Sequence, residues 1–253
     1  MAVMQLTTVS KKQSDNTAFV YWRVGINRKG VVEVRLDVDS IDVELIAELG
    51  VIRYLIMECR VFNRTPSSGN GIKLCVSKGA IKKLTKGTSA KGYASRFAAL
   101  LTGRLLGIEI QVSHSMNHMI QEADEGYAES FSHLDVSTTE YMTPHEVIET
   151  PAMGLVAITK HALERYSQRL GIMGNSQIVK RPWASLARRL RNPELLQQSL
   201  DANVLAHKYR KYGSNSKVEI WKHPTDLLHF TVVVSPENQR TLVTVFERQK
   251  QFF

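Results

Sequence analysis

The chain has 253 residues, 43% hydrophobic and 23% charged, which excludes a disordered polyelectrolyte and leaves room for two ordinary domains. No apolar run nears the roughly 20 residues that span a bilayer, and the N-terminus lacks the basic-then-apolar order of a secretory signal, so a soluble, cytoplasmic protein without membrane association is expected. The formal net charge is +9, divided as +8 over residues 1–120, −8 over 121–150, where no Lys or Arg occurs, and +9 over 151–253. Two basic blocks around an acidic one favour polyanionic partners. Cys59 and Cys75 have no metal-ligand spacing and are expected as buried thiols, and no metal or cofactor is predicted.

In chain order, residues 1–18 read as a flexible polar tail. Residues 19–24 and 31–38 alternate as strands around the NRKG turn at 27–30. Asp42 or Ser40 is placed to cap a helix over 41–62. TPSSGNG at 65–71 is a loop, 72–76 a short apolar strand, and a lysine-rich turn follows. A second helix over 93–106 ends at Gly107, and 108–112 is another strand. Residues 121–154 are expected as an acidic linker. Thr159 caps a helix to about Leu170, which Gly171 ends. Short helical pieces follow at 183–191 and 194–200. The period then changes, with strands at 204–209, 217–221, 228–234 and 242–246, so the last unit ends in an antiparallel sheet. The predicted class is α/β or α+β in two domains. The first, 19–120, is a mixed sheet with helices, and the second, 155–253, is a helix followed by an antiparallel sheet.

The order of elements over residues 19–130 resembles an RNase H-like domain. Glu44-Leu45-Ile46-Ala47 opens the first helix where that family carries a catalytic glutamate. Val112-Ser113-His114 and Asp124 are similar to its late histidine and final aspartate. The resemblance implies a carboxylate cluster holding two Mg²⁺. The strand at 19–24 offers Trp22, Arg23 and Val24 where an aspartate is required, and the strand ending at Val76-Ser77 lacks its own. A catalytically silent domain is therefore expected, with Asp37 and Asp39 as weak substitutes. Glu44 and Glu48 can equally be helix acids on a solvated face.

Lys73, Lys78, Lys82, Lys83, Lys86, Lys91 and Arg96 fall within 24 residues among glycines that let backbone N–H groups approach phosphates. Tyr93 is read as a core aromatic rather than a base-stacking one. In the second unit, His161, Arg165 and Arg169 follow at intervals of four on one helical face. An imidazole beside guanidinium forks suits metal-free RNA cleavage. Their string, with the late Thr241–Val245 strand, resembles the barnase-, colicin- and RelE-like ribonuclease toxins. That resemblance implies His161 and Arg165 as catalytic residues, with Thr244 as the late threonine. His207, His223 and His229 are the candidate acid/base partners. Arg188 and Arg189, beside Arg181 and Arg191, add charge on a short helix near Trp183. Lys208, Arg210 and Lys211 form a basic-aromatic string with His207, Tyr209 and Tyr212. Trp183 and Trp221 are expected in the core.

Three functions follow. The first is an RNA-binding protein built from nuclease-like domains, favouring single strands, with DNA open and an architecture similar to RNA-binding proteins of phages and mobile elements. The second is an active metal-independent endoribonuclease. The third is a protein–protein assembly or inhibitor module.

Overall fold

The computed structural model describes residues 3–115, 118–121, 131–172, 181–199 and 216–247. They form an α+β protein of two compact units, 1–144 and 145–253, each built on a mixed six-stranded sheet. Among the described residues no helix is long and apolar enough to cross a membrane.

In the first unit, β1 (Met4–Lys12), β2 (Thr17–Val24) and β3 (Arg28–Leu36) form an antiparallel meander. Helix α1 (Val43–Met57) follows, then β4 (Ile72–Val76), α2 (Gly79–Lys86), a 3₁₀ turn (Gly92–Arg96), α3 (Ala99–Thr102), β5 (Glu109–Val112) and β6 (Phe131–Val136). The sheet order is β5-β4-β1-β2-β3-β6, with β4, β5 and β6 each parallel to its inner neighbour.

Several expectations are corrected here. The stretch read as a tail contains β1, a central strand of the sheet. Leu6, Thr8, Val9 and Ser10 are all buried, and the polar Thr8 and Ser10 disguise the apolar pattern. Part of the acidic linker is likewise structured. Its residues 131–136 close the first sheet as β6, because β3 offers a free edge whose N–H and C=O groups need partners. The lysine-rich turn contains α2, with Ile81 and Leu84 buried at i and i+3 beneath exposed lysines. The single helix expected at 93–106 is a 3₁₀ turn and then a short helix. The apolar run Phe97–Leu101, every residue of it buried, gave that stretch its helical appearance.

Helix α1 is buried almost all round, from Val43 through Ile56, so it packs as a core element and not as a surface stripe. Asp42 stands at its N-cap position, but its side chain makes no cap hydrogen bond. A Cβ on Gly50 would stand 3.1 Å from Val136 Cγ2, so a glycine there lets α1 sit close over β6. Cys75 is buried, whereas Cys59 is exposed.

The second unit runs β7 (Glu146–Thr150), β8 (Gly154–Ile158), α4 (Lys160–Ile172), α5 (Pro182–Leu190), β9 (Leu196–Gln198), β10 (Lys217–Lys222), β11 (Leu228–Val234) and β12 (Arg240–Glu247). Its order is β7-β8-β12-β11-β10-β9. The sheet is mixed and not wholly antiparallel, because β8 lies parallel to β12. Residues 194–200, read as helical, instead carry the edge strand β9. Pairing with Ile220–Lys222 of β10 outweighs the local propensity there. Thr159 caps α4 as expected. Its Oγ1 accepts from the Ala162 N–H at 3.0 Å and donates to the Leu242 carbonyl at 3.0 Å, fixing the helix to β12. Trp183 and Trp221 are buried. The strand expected at 204–209 lies outside the described residues.

Candidate nucleic-acid interface

At the heart of the first unit, α1 turns Glu48 onto the sheet, fully buried. Its Oε1 accepts from Thr8 Oγ1 at 2.8 Å and from the Ser77 N–H at 2.8 Å. Its Oε2 accepts from Ser77 Oγ at 2.7 Å and Ser10 Oγ at 3.3 Å. Thr8 and Ser10 come from β1 and Ser77 from the end of β4, so three elements converge on one carboxylate. Burial pushes the Glu48 carboxyl above its ordinary value, while the four hydrogen bonds oppose the shift. The donors are neutral and each carries only a partial charge, so desolvation wins.

This cluster was missed in the sequence. The resemblance places the family's helix glutamate at Glu44, but Glu48, one turn later, is the acid that faces β1 and β4. The solvated-face alternative fails for Glu48. The signal that could have found it is the pair of hydroxyls at Thr8 and Ser10, both on the inward-facing side of a strand. Trp22, Arg23 and Val24 lie on β2, with Trp22 in register with Thr8, whereas the groups that hold Glu48 come from β1 and the end of β4.

Above it opens a cleft of about 410 Å³, lined among others by Asp42, Glu44, Ser77, Lys78, Lys91 and His114. Its lysines are not all available to a polyanion. Lys78 Nζ pairs with Glu44 Oε2 at 2.8 Å, and Glu44 Oε1 also takes the Lys12 N–H at 3.1 Å. Asp42 accepts from both Lys91 Nζ and Tyr93 Oη. Burial works to raise the Asp42 carboxyl, but these two partners hold it below its ordinary value. Burial and the adjacent Asp42 raise the Tyr93 phenol. Tyr93 is thus a half-exposed partner of Asp42 and not a core aromatic. Arg96 lies over the Phe97 ring, 5.1 Å from its centroid. Lys73 pairs with Glu109 at 3.3 Å.

Lys82, Lys83 and Lys86, by contrast, are exposed along α2. Lys83 and Lys86 also complement the C-terminal end of the helix dipole. Asp37 is occupied by the Thr138 N–H and Ser137 Oγ, and the Thr138 N–H foremost holds its carboxyl low. His114 lies exposed at the cleft, whereas Asp124 is outside the described residues.

In the second unit, His161 and Arg165 are exposed and Arg169 half-exposed on α4, opposite the buried Ala162, Leu163, Tyr166 and Leu170. Arg165 Nη1 donates to Gln168 Oε1 at 3.3 Å. Thr244 is half-buried and pairs in register with Thr231. Arg188 is exposed. Arg189, expected as a nucleic-acid contact, is committed internally. It pairs with Asp226 at 3.0 Å, donates to Tyr166 Oη at 2.6 Å and Ser185 Oγ at 3.0 Å, and lies over the Tyr166 ring. Its role is therefore structural, because a half-buried guanidinium needs a carboxylate and acceptors.

His223 lies beside Asp226 at 3.3 Å. Burial foremost, with Arg189, lowers its imidazole below the ordinary value, against Asp226. His229 is buried, donates from Nδ1 to the Leu227 carbonyl at 3.0 Å, and stacks on Phe246. His207, Lys208, Arg210 and Lys211 lie outside the described residues. Among the described residues, no three His, Cys, Asp or Glu side chains gather to hold a metal ion.

Set against family models, curated proteins and solved structures, the chain finds no match.

Proposed function

We propose that the protein binds RNA through nuclease-like domains, and that the first of these is a catalytically silent RNase H-like domain. The topology supports this reading: an antiparallel β1–β2–β3 meander, then α1, then β4 and β5 added in parallel on the other side of β1. This reading takes β1, from Met4, in place of residues 19–24 as the first strand of the resemblance. The observation that carries the silent assignment is the environment of Glu48. Where a two-Mg²⁺ site needs carboxylates on β1 and at the end of β4, this chain has Thr8, Ser10 and Ser77. Their hydroxyls, with the Ser77 N–H, take up the Glu48 oxygens. One buried carboxylate with its oxygens hydrogen-bonded does not fit a metal pair.

The binding function draws on the net charge of +9 and on the exposed Lys82, Lys83 and Lys86 of α2, which can meet phosphates without first breaking a buried ion pair. His161 and Arg165, exposed on one face of α4, and the half-exposed Arg169 extend the cationic surface of the second unit. They also keep a second reading open, in which that unit cleaves RNA without metal.

One experiment separates the two. Labelled single-stranded RNA is incubated with the protein in EDTA, then run on native and denaturing gels at two salt concentrations. A shift that weakens with salt, over intact RNA, is the expected result. Cleavage that disappears in His161→Ala overturns it in favour of the ribonuclease. Absence of both overturns the RNA reading altogether.

A further inference from the structure

The first sheet has two faces with different chemistry. The face under α1 is apolar apart from the Glu48 cluster. The opposite face carries Val9, Tyr21, Val31 and Cys75 with Met119 packed on them, and toward the β6 edge it opens to solvent. There Phe19, Glu33 and His133 stand in one register row across β2, β3 and β6, and Tyr21, Val31 and Phe131 in the next.

Phe131 is 46% exposed although it is a large apolar ring at the end of a strand. It is held in place by two edge-on contacts, to Phe19 at 6.2 Å and 61° and to His133 at 4.9 Å and 78°. A ring fixed by edge contacts while still open to solvent is pre-organised to receive another flat ring, at little further conformational cost.

Charged side chains of both signs surround it. Glu33, the acid within the row, is already engaged by His133 Nδ1 at 2.8 Å. Lys11 extends the same row on β1, in register with Phe19, and is exposed. Arg35 follows on β3 and is exposed as well. Asp135 is the opposing charge, in register with Arg35. Aromatic rings with flanking cations on an open sheet face are the combination that takes single-stranded nucleic acid, the rings stacking on bases and the cations following the phosphates.

We propose that the β6 edge of the first sheet is a base-stacking platform for single-stranded RNA, with Phe131 as the stacking ring and Lys11 and Arg35 as phosphate contacts. It is separate from the lysines of α2, and it rests on the reading of this protein as an RNA binder. It also assigns the strand-end aromatic a recognition role that lysines alone do not supply, the ability to distinguish a chain with bases from one without.

The test uses the full chain and two labelled probes of equal length and charge, a 20-nucleotide uridylate RNA and an abasic phosphodiester oligomer. Wild type is expected to prefer the uridylate. Phe131→Ala and Phe131→Leu should both lose roughly 5- to 160-fold in affinity for it, the range for one aromatic–base stack, while affinity for the abasic oligomer stays unchanged. Phe131→Trp should keep the affinity, and its indole emission should be quenched on binding. That variant also guards against misfolding of the other two. The proposal is overturned if Phe131→Ala and Phe131→Leu bind both probes as wild type does. It is equally overturned if wild type self-associates in sedimentation and Phe131→Ala abolishes that, because the ring then belongs to an interface between copies. If wild type binds neither probe, the RNA-binding function itself falls, and the platform with it.

Discussion

The two units each bury a glutamate beside their central strands, and the two carboxylates behave in opposite ways. Glu48 and Glu219 are 0% and 2% exposed. Around Glu48 the donors are three hydroxyls and one backbone N–H, and burial raises its carboxyl. Around Glu219 stand Trp221 Nε1 at 3.1 Å, Arg240 Nε at 3.3 Å and Lys217 Nζ at 3.1 Å. There burial is again the largest single influence, but the indole and the two cations together hold the carboxyl below its ordinary value. The number of hydrogen bonds does not decide the outcome, since Glu48 accepts more of them. Formal positive charge does.

Removing Glu48 as an acceptor is the severest way to break this comparison. Glu48→Ala leaves the Ser77 N–H and three hydroxyls without their acceptor in a dry site. Each unsatisfied buried group costs roughly 1–3 kcal/mol, partly recovered where Ser10 and Ser77 pair with each other. A net loss of about 3 kcal/mol in denaturant unfolding of the first unit is expected, and a loss under 1 kcal/mol would show that the cluster is not load-sharing. Glu219→Gln should cost the second unit less, about 2 kcal/mol, because Arg240 and Lys217 keep access to water and the amide can still accept from Trp221.

Acidity sharpens the contrast. Glu219 has a lowered folded value, so its contribution is fully present above the ordinary 4.5 and is lost as pH falls through the folded value. Glu48 has a raised folded value. Its contribution is fully present below 4.5 and is lost as pH rises through the folded value. Hydrogen exchange should therefore show β10 losing protection on acidification while α1 gains it. Equal slopes in the two units would end the contrast. The smallest effect is expected from Glu48→Gln. Its amide oxygen can keep the bonds from the Thr8 hydroxyl and the Ser77 N–H, while its NH₂ donates to the hydroxyl oxygens of Ser10 and Ser77. Stability at neutral pH should change by less than about 1 kcal/mol, and the rise of α1 protection toward acid should flatten.

Where a short apolar run stands between turn signals, the sequence alone located the elements: β4 at Ile72–Val76 and β11 at Leu228–Val234 have the expected bounds. The start of α4 was also legible, because Thr159 caps it by a local hydrogen bond. What stayed hidden depends on distant partners. Thr8 and Ser10 face inward because Glu48, about forty residues on, needs donors, and so β1 resembled a polar tail. The lysine run was legible as charge, but not the division within it. Only the fold brings Lys78 to Glu44 and Lys91 to Asp42, leaving Lys82, Lys83 and Lys86 exposed. Arg189 was lost to the interface for the same reason, since its partners Tyr166 and Asp226 lie on other elements.

The register of β6 against β3 has a consequence for how this chain can be divided. Val31–Leu36 pair in parallel with Phe131–Val136, so a fragment stopped at residue 120 would leave β3 as a bare outer strand. A row of unmet backbone donors and acceptors invites the same row on a neighbouring molecule. Such a fragment would seek its missing strand from other copies, by strand exchange or by precipitation. The residues that look like a spacer between two halves thus supply the outer strand of the first sheet.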